Sequence, residues 1–344
     1  MKILRQDLDQ AAQQTGLTPE QTASLWAALE ARTVGTPTLG FASVAYYLGA
    51  LIVIGAMGFF MTLGFEAFGG FGICAIATGY GAAFVFAGRW LLQEKKLRVP
   101  GGLLITMAVC MTPLAVYGLE RGLGLWADGA PRSYRDYHEV VKATWIVMEL
   151  STIAAGVLAL RWVRFPFLTA PIAFTLWYMS MDLTPILVGD DFDWVARRWV
   201  SVGFGALVLA VAFVVDRKVR EDLAFWLYLF GLMAFWGGLS SMDSGNPVAK
   251  LVYCAINVGL MGLGVLLSRR AFVVFGALGV FGYLGYLSYR VFEDSMLFPF
   301  VLSAFGIAVI VAGVQFQKRQ RAIEAVVRSL IPAPVLAWLP EERA

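Results

Sequence analysis

With 344 residues, 59% of them hydrophobic and only 15% charged, the chain lies well outside the composition of soluble domains, which carry roughly 25% charge. Its net charge of +3 is too small to suggest a nucleic-acid surface, and the solvent that fits this composition is lipid. A bilayer core is about 30 Å thick and a helix rises about 1.5 Å per residue, so about 20 apolar residues make one span. The expected fold class is an all-α integral membrane protein.

Residues 1–41 read as a cytoplasmic helical hairpin, with stretches near Leu4–Gln14 and Pro19–Arg32. Thr18, Pro19 and Gln21 form the start signal of the second helix, a capping box with a first-turn proline, and Gly16 supplies the break before it. Leu25, Trp26 and Leu29 share one side, enough to dock on a membrane or partner but too little for a separate core. This polar stretch lacks the apolar core of a signal peptide, so the first span is expected to act as the insertion signal.

A transmembrane domain over residues 42–316 is expected to hold about ten helices: 42–65, 69–92, 100–119, 144–163, 165–187, 198–216, 222–240, 248–267, 271–291 and 296–316. Short links make consecutive helices antiparallel neighbours. Of the 27 Lys and Arg residues, 19 fall on the side shared by both termini, which predicts that both termini are cytoplasmic. Trp90, Trp126, Trp145, Trp162, Trp194 and Trp199 sit at segment ends, where indole rings reach the headgroups; Trp177 is mid-span. The tail, 317–344, mixes basic residues with Ala322, Val326, Val327, Leu330 and Ile331 as an amphipathic cytoplasmic helix would, suited to the inner leaflet or a protein partner.

Most motif-like stretches have bland explanations. Thr78-Gly79-Tyr80-Gly81 is one residue short of a potassium filter and lies mid-span. An EF-hand beginning at Asp191 fails on Val195, Ala196 and Val202, and Arg197 and Arg198 stand ready to neutralise that acidic loop. Cys74, Cys110 and Cys254 occupy three different spans without metal-ligand spacing, so no metal or cofactor is expected. His138, the one histidine, falls beside Glu139 in the long loop 120–143. Without a phosphate loop, dinucleotide fingerprint or catalytic histidine pattern, the chain does not read as an enzyme. Gly276, Gly279, Gly282 and Gly285, with Gly259 and Gly262, predict a close helix contact, while Pro113, Pro166, Pro171 and Pro185 free backbone carbonyls within spans three and five.

The candidate site rests on charges inside the spans. A charge near a helix centre costs roughly 2.5–3.5 kcal/mol on insertion scales, so Glu149 and Asp182 are expected to face protein or water and to have partners. Tyr178 lies one turn from Asp182, and Lys250, Tyr253 and Asn257 form a similar polar stripe in span eight. Counted inward at about 1.5 Å per residue, Glu149, Asp182 and Lys250 lie within about 5–8 Å of the outer boundary. Two roles follow: an ion-paired cluster that fixes packing, Glu149 with Lys250 for example, or a solute- or proton-binding cavity open to the outside.

The opening run Leu8-Asp9-Gln10-Ala11-Ala12-Gln13-Gln14-Thr15-Gly16-Leu17-Thr18-Pro19-Glu20-Gln21, then Leu25-Trp26, resembles a broad group of bacterial polytopic inner-membrane proteins with a short cytoplasmic helical preface. Leu330-Ile331-Pro332 and Leu339-Pro340 resemble that group's tail. The resemblance implies a multi-pass protein of the bacterial cytoplasmic membrane and carries no activity with it. Function is expected to be small-solute transport, with proton coupling as one form; the alternative is a non-transporting scaffold, sensor or assembly subunit that docks partners at its cytoplasmic termini.

Overall fold

A computed structural model describes residues 15–33, 41–125, 143–188, 194–219, 221–242 and 246–292, with a few isolated positions near both ends. The described residues form helices and no strands. After α1 (Pro19–Thr33) come α2 (Phe41–Ala67), α3 (Gly69–Gln93), α4 (Arg98–Cys110), α5 (Thr112–Gly122) and α6 (Ala143–Trp162). A 3-10 turn at Pro166–Leu168 leads into α7 (Thr169–Val188), then α8 (Trp194–Lys218), α9 (Ala224–Ser240), α10 (Pro247–Leu266) and α11 (Arg270–Phe292).

Among the described residues, nine of the ten expected segments are helical, and six helices are both long and apolar enough to cross a membrane. These six run Gly69–Gln93, Arg98–Gly122, Thr144–Trp162, Val195–Lys218, Pro247–Leu266 and Arg270–Leu287. The last expected span, the amphipathic tail, Trp126, His138 and the acidic loop at 189–193 lie outside the described residues, isolated helical positions between 299 and 314 excepted. Large apolar side chains such as Ile52, Phe86, Leu207 and Leu251 point outward, which suits lipid as solvent.

The local signals explain where helices stop. Thr18 N–H donates to Gln21 Oε1 at 3.1 Å and Gln21 N–H to Thr18 Oγ1 at 3.3 Å, so the capping box is formed. Gly16 has φ +72° and lets Leu17 N–H close back onto Ala12 O, the Schellman end that separates the two preface stretches. Span three is two helices: Pro113 cannot donate to the carbonyl of Val109, and the helix breaks at Met111. Pro171 falls in the first turn of α7, where its missing N–H has no helical acceptor, so it leaves no break.

Packing proceeds roughly in chain order. α3 lies against the bent pair α4 and α5, with α2 on α4; α6 and α7 form the central hairpin; α8 and α9 pack on α7; α11 joins α9 and carries α10 outside it. One core gathers Ile73, Ala77, Leu114, Tyr117, Trp145 and Met148, and another Ala173, Ala212, Leu227, Tyr228, Leu260 and Phe272. Trp145 departs from the expected aromatic belt: it is buried in the first core, whereas Trp90, Trp162 and Trp199 are exposed.

The glycine stripe is used only in part. A Cβ on Gly279 would collide with the Asn257 side chain, and one on Gly276 with Asn257 O and Met261, so α10 and α11 meet there. Gly259, Gly262, Gly282 and Gly285 face open space. We expect Gly279→Val to destabilise the α10–α11 contact by about 1–3 kcal/mol, an overpacking effect. Heating detergent-solubilised protein and measuring the monodisperse fraction checks this, and adding Asn257→Ala should recover part of the loss.

Candidate functional site: an enclosed acidic pair

Glu149 and Asp182 come together because α6 and α7 are a tight antiparallel hairpin. Counting from Phe165 in the link, Glu149 lies 16 residues back and Asp182 17 forward, so the two turns that carry them meet. The pair is enclosed, at 6% and 7% exposure, and the two carboxyl groups are close enough to interact. Both oxygens of Glu149 and Oδ2 of Asp182 are buried without a hydrogen-bond donor, because two ionised carboxylates facing each other offer acceptors only. Thr144 Oγ1, near the start of α6, is a further buried oxygen in that condition.

Around the pair, one turn from each carboxylate, Trp145 and Tyr178 stack with centroids 5.9 Å apart. Thr152 is buried below Glu149, but its hydroxyl donates to Met148 O at 2.7 Å and is turned into its own helix. Arg197, in the first turn of α8, acts electrostatically on Asp182. Sequence reasoning assigned Arg197 to the acidic loop before it; the signal that could have found its membrane role is its place at the start of the helix following Asp182.

Of the remaining expected site residues, Tyr178 belongs to this group, but Lys250, Tyr253 and Asn257 do not. The pairing of Glu149 with Lys250 is corrected. α10 is carried on α11 at the far side of α9, and Lys250 Nζ sits 3.4 Å from the centroid of the Tyr286 ring. Asn257 is fully buried and serves packing: its Nδ2 donates to Tyr253 O at 2.8 Å and its Oδ1 accepts from Trp236 Nε1 at 3.0 Å. The Tyr253 and Ser240 hydroxyls share a hydrogen bond of 2.8 Å. These contacts tie α9 to α10.

A second charge cluster, buried at Asp216 and open at Asp222, was not foreseen. Arg269, between α10 and α11, donates from Nε to Asp216 Oδ2 at 3.1 Å, from Nη2 to Asp216 Oδ1 at 2.5 Å, and from Nη1 to Asp222 Oδ1 at 2.7 Å. The Tyr228 hydroxyl donates to Asp216 Oδ2 at 3.4 Å, and its ring lies 5.5 Å from the guanidinium carbon. Burial lowers the Arg269 pKa, but the hydrogen bonds to Asp216 and Asp222 outweigh it and raise the net value. Ser268, in the left-handed region at φ +54°, turns the chain so that Arg269 N–H also caps Gly264 O. This bidentate bond fastens the ends of α8, α9, α10 and α11.

No family model, curated protein or solved structure matches the chain.

Because Asp216 is wholly enclosed, Arg269→Ala strands a buried charge, and we expect a loss of about 3–5 kcal/mol. The double change Arg269→Met with Asp216→Leu should recover most of it. Thermal inactivation in detergent, read by size exclusion, distinguishes the two.

Proposed function

We propose that the chain is a multi-pass permease of the bacterial cytoplasmic membrane that moves a small solute in exchange for, or together with, a proton held at Glu149–Asp182. The observation that carries this reading is the pair itself: two carboxyl groups side by side, with three of their oxygens enclosed and unsatisfied. Two full negative charges in that setting repel each other and lack the water that would solvate them. One proton between them removes a charge and supplies a donor, so occupancy of the pair changes its local energy in one step. Arg197 attracts Asp182, which leaves Glu149 as the member that exchanges.

The topology we assign has ten spans with both termini cytoplasmic, supported by the lysine and arginine asymmetry. Under that orientation the start of α6 and the end of α7 face outward, so the pair is nearer the outer surface. Arg269 and its carboxylates then fasten the opposite, inner end. A structure held at one end and carrying an unsatisfied acidic pair toward the other is suited to opening on that second side.

A non-transporting scaffold or assembly subunit, docking partners through the preface and tail, is the second reading. The observation in its favour is the close enclosure of Glu149, which sits beside Trp145 and Met148 of a packed core.

Proteoliposomes loaded with a pH-sensitive dye distinguish the readings. Under an imposed solute gradient from a panel of amines, amino acids and sugars, the wild type should move protons with at least one solute. Glu149→Gln should abolish proton movement coupled to that solute. Identical flux and pH dependence in both proteins would remove Glu149 from the coupling, and a wild type inert to the whole panel supports the scaffold.

A further inference from the structure

A cleft of about 690 Å³ opens where the end of α3, the start of α4 and the α6–α7 link come together. Among the described residues its lining includes Arg89, Lys96, Arg98 and Arg164, with Gln93 and Trp162, and no carboxylate. Four cations around one concavity repel one another, and an anion inside it relieves that repulsion. The geometry is built as well as charged. Arg98 Nη2 donates to Arg164 O at 3.0 Å, which fixes its guanidinium across the link while other N–H groups stay available. Lys96 is held in the left-handed region at φ +52°, in the turn between α3 and α4. Arg164 has only a 4.0 Å contact with Glu221, between two solvent-accessible side chains, so it is weakly neutralised.

Directly beside the cleft, a groove of about 580 Å³ runs along α3, lined by Ala82, Val85, Phe86 and Trp90, with Glu94 at the same end as Arg89. It shares Arg89 and Gln93 with the cleft. Phe86 is 78% exposed and Trp162 68%, so apolar and aromatic groups flank the cations on the outer surface of the bundle. A free inorganic phosphate would use only the charged part. A molecule with a phosphate at one end and hydrocarbon at the other uses both, the phosphate against the arginine forks and the chain along α3.

We propose that this cleft binds the phosphate headgroup of an anionic glycerophospholipid, with an acyl chain lying in the α3 groove. The site is separate from Glu149–Asp182 and stands whether or not the chain transports anything. Its position beside the Phe165 link lets a bound lipid brace α4 against the central hairpin: Phe165 packs against Gly102, where a Cβ would come within 2.5 Å of the ring.

The test uses full-length protein purified in mild detergent and titrated with phosphatidylglycerol or phosphatidylcholine of identical acyl chains, bound lipid being counted by native mass spectrometry. Wild type should prefer phosphatidylglycerol. Arg89→Gln with Lys96→Gln should weaken phosphatidylglycerol binding about tenfold and leave phosphatidylcholine unchanged. A control lacking two exposed charges elsewhere, Lys218→Gln with Arg270→Gln, should behave as wild type. Equal binding of the two lipids, or equal losses in cleft variant and control, overturns the proposal. Displacement of phosphatidylglycerol by millimolar inorganic phosphate overturns the lipid assignment in favour of a free anion. If the double variant does not fold, the salt dependence of wild-type binding decides: binding should fall as ionic strength rises, and indifference to salt overturns the site.

Discussion

Inside a bilayer the hydrophobic effect no longer pulls one helix against another, because lipid tails are as apolar as leucine. Contacts must come from close backbone approach and from polar groups with nowhere else to turn. This constraint governs the outer half of the bundle. α10 has few heavy apolar anchors, and what seats it is Asn257 pressed between Trp236 and the bare backbone at Gly279. Arg269 does the corresponding work at the helix ends, where one planar guanidinium satisfies two carboxylates carried by the α8–α9 region. Both devices rely on partners that fill one another's hydrogen-bonding capacity, so each helps to specify a single arrangement of the helices.

The acidic pair breaks the same rule. Asn257, Asp216 and Arg269 have each found a donor or acceptor, whereas Glu149 and Asp182 have found each other and, with Thr144 Oγ1, remain unsatisfied. Such an arrangement costs stability. The surrounding structure keeps the defect local: the Trp145–Tyr178 stack and the adjoining core pack on one side, and Arg197 acts on Asp182. A proton is the smallest species that would complete it, which is the basis of the exchange proposed for Glu149.

Much of the architecture could be read in the chain because lipid imposes length and polarity so strongly. Helices α2 to α11 follow the apolar segments, and the capping box at Thr18 and the break at Pro113 fall where local chemistry puts them. The charge partners were harder to read. Opposite charge suggested Lys250 for Glu149, but covalent connection decided otherwise: a short link folds α6 onto α7, and near-equal distances from Phe165 bring Asp182 to Glu149. That symmetry was available in the sequence. Arg269 was concealed differently, since in a count of positive charges it looks like any other arginine of a short link between helices. Only the approach of four helix ends makes it a buried bond, and such long-range proximity leaves no periodic trace.

The interruption at Met111 lets one span serve two sets of neighbours. Pro113 removes one of the hydrogen bonds that would resist bending there, while Ala115 N–H still reaches Met111 O at 3.0 Å and keeps the two halves joined. The two halves hold different neighbours. α4 carries Gly102 against Phe165 and thus grips the hairpin link, while α5 contributes Leu114 and Tyr117 to the core that includes Trp145 and Met148. One bend therefore divides the contacts of a single span between the wall beside Glu149 and the base of the same hairpin.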